Sequence, residues 1–201
     1  VEAVIEDLKV KRNLFSQLDK RLSSESIIAS NTSSFPIIDL SEGISPKRKE
    51  RFIGLHFFNP APIMKLVEVI CPRDIDRNIS QDLAAWLCRQ GKKAVLCQDR
   101  PGFIVNRIAR NFYGEALRIA NSDDQKRYSQ IDRALREAGG FKMGPFELMD
   151  LIGIDVNLDV TRSVWNAFDK GPRFAPHFLQ QQMVEKGRLG KKTGRGFFIY
   201  E

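Results

Sequence analysis

Two apolar runs, "FIGLHFF" at 52–58 and "LVEVIC" at 66–71, are separated by only seven residues, "NPAPIMK", two of them proline. Each run has the length and the β-branched and aromatic content of a buried strand. A parallel crossover needs about a dozen residues or more, so this short connection forces the two strands to run antiparallel. If the loop is symmetric about Pro62, Phe58 faces Leu66, and stepping back two residues on each side sets His56 opposite Glu68. Both break otherwise apolar strands. Directly opposed residues share a face, with Cβ atoms about 5 Å apart. The count therefore pairs one of the chain's two histidines with a carboxylate. A carboxylate beside an imidazole favours the imidazolium and fixes which ring nitrogen carries the proton, as a positioned general base requires. Spacing alone equally allows a buried pair that only satisfies itself.

Around this hairpin, helix and strand alternate. Leu8, Phe15, Leu18 and Leu22 recur at helical spacing, "SIIAS" reads as a short buried strand, and 93–98 as another. Ile79, Leu83, Trp86, Leu87 and Gln90 mark a helix closed by Gly91. Such alternation predicts an α/β sheet layer. After "QDRPGF" only helical periods remain. Ile104, Val105, Ile108, Phe112, Ala116 and Ile119 predict one apolar face, and Ser129 is expected to cap a helix ending at Gly139-Gly140. Pro145 opens a short helix that stops at Gly153, and two more follow, one outlined by Val156, Val160, Val164 and Phe168 and one in "HFLQQQMVEKGRLG". The expected organisation is an α/β sheet layer at 1–99 followed by an all-α domain at 100–201.

The chain has 201 residues, 42% of them hydrophobic, and a formal charge of +7. That charge suits an anionic ligand such as a nucleotide or coenzyme A. The basic residues are scattered and no basic stretch is interleaved with aromatics, so no nucleic-acid partner is expected. No run approaches the ~20 apolar residues that cross a bilayer, and no signal-peptide pattern opens the sequence, so neither membrane insertion nor secretion is expected. Cys71, Cys88 and Cys97 have neither CxxC spacing nor an even count, which predicts reduced thiols in a cytoplasmic protein and no metal site. Two polar features add to the hairpin. "SNTSS" follows a strand of the α/β layer, where such sheets bind ligands, although capping turns have the same composition. Asn106, in the first turns of the helix after Pro101, is placed either on that helix's surface or toward a cleft between domains.

"IASNTSS", "GLHFFNPAPIMKLVEVI", "DRPGFIVNRI", "GPFELMDLIGIDV" and "GKKTGRGFFIY", in this order, resemble the L-3-hydroxyacyl-CoA dehydrogenases, including the 3-hydroxybutyryl-CoA dehydrogenases, over nearly the whole chain. The resemblance implies an NAD-binding Rossmann domain followed by a helical domain that dimerises and closes over the substrate. It implies oxidation of a 3-hydroxyacyl-CoA to the 3-ketoacyl-CoA, as in fatty-acid β-oxidation. His56 takes the place of the catalytic base and Glu68 that of the carboxylate orienting it. Ser33 and Asn106 match groups that bind the reacting oxygen, Ser33 lying also near the nicotinamide. Glu6, Lys11, Asn31, Asn59 and Lys192 match positions at the cofactor.

The family's opening strand, GxGxxG turn and helix hold the cofactor pyrophosphate, and no GxGxxG occurs in these 201 residues. The sequence is therefore expected to be part of a longer enzyme, and these residues alone are expected to bind NAD weakly or not at all and to turn nothing over. Two other readings remain: a non-catalytic dimerising fragment, and an NAD-dependent hydroxy-acid dehydrogenase acting on a substrate without coenzyme A.

Overall fold

The computed structural model describes residues 1–200. Its backbone divides into two compact units, 1–104 and 105–201.

The first unit is built on a four-stranded sheet in the order β1 (Ile28–Ser30), β2 (Phe52–Phe57), β3 (Leu66–Cys71) and β4 (Lys93–Gln98). β1 and β2 are parallel, β2 and β3 antiparallel, and β3 and β4 parallel. The register of the middle pair sets His56 opposite Glu68, as the loop count requires. Beyond β1, Glu2 extends the sheet through a parallel bridge to Ser30.

Alternation along β2 and β3 sorts the core into two layers. On one face Phe52 and Ile70 pack with Phe15 of α1 (Leu8–Arg21) and with Ile37 and Leu40 of α2 (Ile37–Leu40). On the other, Ile53, Leu55, Val67 and Val69 pack with Ile79 and Leu87 of α4 (Arg77–Arg89). Asp7 caps α1 through the Val10 amide, and Asp76 caps α4 through the Asn78 amide. A four-residue helix, α3 (Pro46–Lys49), sits between α2 and β2. No periodic pattern marks these two helices in the sequence, because one helical turn is too short to show a period.

The second unit consists of α5 (Val105–Ala120), α6 (Gln125–Glu137), α7 (Pro145–Ile152), α8 (Ile154–Ala167) and α9 (Phe178–Glu185). Its core gathers Tyr113, Leu117, Tyr128, Phe146, Met149 and Phe197. Two sequence expectations are corrected here. Asp124, not Ser129, caps α6; Ser129 lies inside the helix and donates to the Gln125 carbonyl. The buried stripe of α5 is Tyr113, Ala116, Leu117 and Ala120, whereas Ile108 and Ile119 are exposed. Buried carboxylates fasten this unit. Asp132 accepts from the Phe146 and Glu147 amides at the start of α7, and Asp150 accepts from the Phe197 and Phe198 amides and the Tyr200 hydroxyl. No described helix is long and apolar enough to cross a membrane.

Candidate active site

The even-numbered residues of β2 and β3 point to the α1 and α2 face, which carries His56 beyond Phe52 and Gly54 into the layer where Phe103 packs. His56 and Glu68 are 4% and 1% exposed. The His56 Nδ1 lies 2.6 Å from Glu68 Oε2 and its Nε2 lies 3.0 Å from Ser33 Oγ. An ionised carboxylate can only accept, so the ring proton belongs on Nδ1, and Nε2 is left as the basic atom facing the serine. The other oxygen of Glu68 accepts the Ile104 amide at 2.9 Å. The rings of Phe58 and Phe103 stand 4.6 and 5.7 Å from the imidazole. They hem it with apolar surface, which raises the worth of every charge interaction inside.

The serine arrives from the carboxyl end of β1. The turn 31–35 is organised by Glu6, whose Oε1 accepts from the Thr32 and Ser34 hydroxyls and the Ser33 and Ser34 amides. Beneath it, Lys11 is buried between Glu2 at 2.5 Å and Glu6 at 3.1 Å. Burial works to raise the Glu6 carboxyl, but the bonds from Thr32 and Ser34 and the charge of Lys11 prevail and hold it below its ordinary value. Glu2 also takes the Ser30 hydroxyl at 2.7 Å. Asn31 uses its side-chain oxygen to accept the Phe57 amide, tying the ends of β1 and β2 together.

The structure thus brings Glu6, Lys11, Asn31, Ser33, His56 and Glu68 into one connected polar cluster. Asn59 follows the end of β2 in the same unit, exposed, ahead of a cis bond to Pro60. Asn106 and Lys192 belong to the second unit. Asn106 is half-buried in the first turn of α5, and Lys192 pairs with Asp155 at 2.6 Å. Sequence reasoning missed the Ile104 amide, the Phe103 ring and the part that Glu2 and Ser30 play beneath Lys11 at the base of the cluster. A backbone amide carries no signature in a sequence. Glu2 and Ser30 were readable only as polar breaks beside apolar residues. Among the described residues no group of three or more His, Cys, Asp or Glu could hold a metal ion.

Comparison with known proteins places two matches end to end. Residues 1–100 match the NAD binding domain of 3-hydroxyacyl-CoA dehydrogenase, and residues 102–200 match the C-terminal domain of the same family. A 3-hydroxyadipyl-CoA dehydrogenase of Escherichia coli is 47% identical over 98% of the chain, which spans only 41% of that relative's length. A 3-hydroxybutyryl-CoA dehydrogenase of Mycobacterium tuberculosis is 36% identical over the full chain, which covers 69% of it. Among solved structures, the (S)-3-hydroxybutyryl-CoA dehydrogenase of Ralstonia eutropha superposes with a TM-score of 0.91 at 34% identity, over the whole of this chain and 69% of that one.

Proposed function

Because the chain belongs to the 3-hydroxyacyl-CoA dehydrogenase family, we propose that its protein oxidises an L-3-hydroxyacyl-CoA to the 3-ketoacyl-CoA with NAD. In this reading residues 1–99 are the C-terminal part of the NAD-binding domain and 100–201 the helical substrate domain. The observation that carries it is the imidazole held at both nitrogens, by Glu68 on Nδ1 and by Ser33 on Nε2.

NAD, when bound, supplies the hydride acceptor. The proton work falls to the chain. A substrate hydroxyl within reach of Ser33 Oγ also meets Nε2, which takes its proton, while Glu68 stabilises the imidazolium from 2.6 Å in a site with little water. Asn106 is assigned to the same oxygen. Glu6, Asn31, Ser33, Asn59 and Lys192 are assigned to the cofactor, with Lys11 acting through the carboxylate it holds. Glu6 fits a ribose hydroxyl, since its side chain is still 39% exposed despite its internal bonds. No residue here is assigned to the pyrophosphate, since no GxGxxG occurs in these 201 residues. The assembly is a homodimer through the helical unit, without nucleic-acid or membrane partner, and three free cysteines suit the cytoplasm.

The test is NADH formation by the protein that carries this chain, with 3-hydroxybutyryl-CoA against free 3-hydroxybutyrate. The thioester is expected to be preferred, and His56→Ala to lower kcat by ~10²–10⁴-fold. Equal use of the free acid, or an unimpaired His56→Ala, would sink the reading.

A further inference from the structure

The sheet has two carboxyl ends. β1 and β2 finish beside His56, whereas β3 and β4 run against β2 and finish at the opposite edge. Open α/β sheets bind ligands beyond the carboxyl ends of their strands. Beyond β3 and β4 the first unit opens a cleft of about 850 Å³, within the range of small-molecule sites. It begins at Cys71, three residues past Glu68 along β3, or ~10 Å at the rise of a strand.

Ile38, Ile75 and Leu96 supply apolar wall, and the charges are three arginines, Arg73, Arg77 and Arg100, against two carboxylates, Asp74 and Asp99. None of the three arginines forms an ion pair among the described residues. Asp99, which also lines the cleft, makes no ion pair with Arg100; its two oxygens accept the Ile37 and Ile38 amides at 2.9 and 2.8 Å. The first turn of α4 is likewise engaged by its own cap, Asp76. The lining is thus net positive by one charge, carried by guanidinium groups that come from the turn before α4, the first position of α4 and the exit of β4. Guanidinium forks match phosphate oxygens in a bidentate manner.

We propose that this cleft binds a phosphorylated small molecule of nucleotide size, with Arg73, Arg77 and Arg100 on its phosphates and the Ile38–Ile75–Leu96 wall against its flat group. The site stands apart from the dehydrogenase reading, none of whose residues lines it.

Calorimetric titration of the protein with ADP at low ionic strength tests it, with adenosine as the phosphate-free control. Beside the ADP that the NAD site of the proposed dehydrogenase takes, saturable binding of a second ADP per chain is expected, with adenosine far weaker at that second site. The Arg73→Ala/Arg77→Ala variant should lose ~tenfold or more in affinity. Because that variant could suffer in folding, Arg73→Lys/Arg77→Lys, which keeps the charge but not the fork, is measured beside it and should also bind more weakly. Absence of the second saturable site, equal binding of adenosine there, or unchanged affinity in the Lys variant would overturn the proposal. So would loss of that second site in Glu6→Gln, which would move the ligand to the His56 end of the sheet.

Discussion

Glu68 turns one oxygen to the Nδ1–H of His56 and the other to the Ile104 amide. A glutamine offers one oxygen. In Glu68→Gln, if that oxygen stays on Ile104, the NH₂ group faces Nδ1, drives the ring proton to Nε2 and removes the base. The expected result is a loss of ~10²–10⁴-fold in kcat with little change in KM, together with a switched tautomer in imidazole ¹⁵N spectra. Retention of the Nδ1–H form would contradict the assignment. Glu6 makes a separate prediction through pH. Its carboxyl is held below the ordinary value near 4.5 although burial alone would raise it. The unfolded chain then binds more protons than the folded one in that range, so Glu6 stabilises the fold above about pH 5 and loses that contribution as pH falls through its folded value. Urea midpoints of the wild type should fall more steeply from about pH 5 to 3 than those of Glu6→Gln. The His56–Glu68 pairing was readable because strand alternation and loop length are arithmetic. The Phe103 turn was not, because nothing in a phenylalanine signals the left-handed φ of 48° that it adopts beside the imidazole.

Whole elements are seated by single small residues. Gly54 lies where α2 comes closest to the sheet, and a Cβ there would stand 2.8 Å from both Ile37 Cδ1 and Ile70 Cβ. Gly54→Ala must displace α2, and with it the 31–35 turn that carries Ser33, at a cost of ~1–3 kcal/mol. A denaturation midpoint measures the cost, and trimming Ile37→Val in the same protein should recover part of it. An additive pair of effects would show that α2 is not what the glycine admits. This seat was invisible in the sequence: α2 has four residues, and the glycine inside a strand pattern indicates a close approach without saying by what. The longer helices α1 and α4 were readable from spacing, α7 from Pro145 at its start, and the ends of α4 and α7 from Gly91 and Gly153. α6 was readable as well, but its cap was misplaced, since both Asp124 and Ser129 have capping side chains and only the course of the chain decides between them.

Taken as a whole molecule, the switch from alternating strands and helices to helices alone was plain in the sequence. The inward face of α5 was not, because the helix carries two apolar stripes and periodicity cannot rank them. Packing chose Tyr113, Ala116, Leu117 and Ala120, which leaves Ile108 65% and Ile119 62% exposed. These isoleucines are eleven positions apart, almost a whole number of turns, and so share one stripe with half-buried Phe112. Large apolar side chains exposed on one side of a helix, here with Glu115 between them, are a feature of protein contacts, which supports the proposed homodimer. Two chains of charge +7 repel, so association should tighten with added salt as the Debye length shrinks while the apolar contact is unaffected. Ile108→Lys/Ile119→Lys should convert a light-scattering mass of two chains to that of one. The thermal midpoint should then lose the concentration dependence that the wild type shows. A variant that keeps the two-chain mass would assign the dimer contact to another face, and a wild type of single-chain mass at every concentration would remove the dimer altogether.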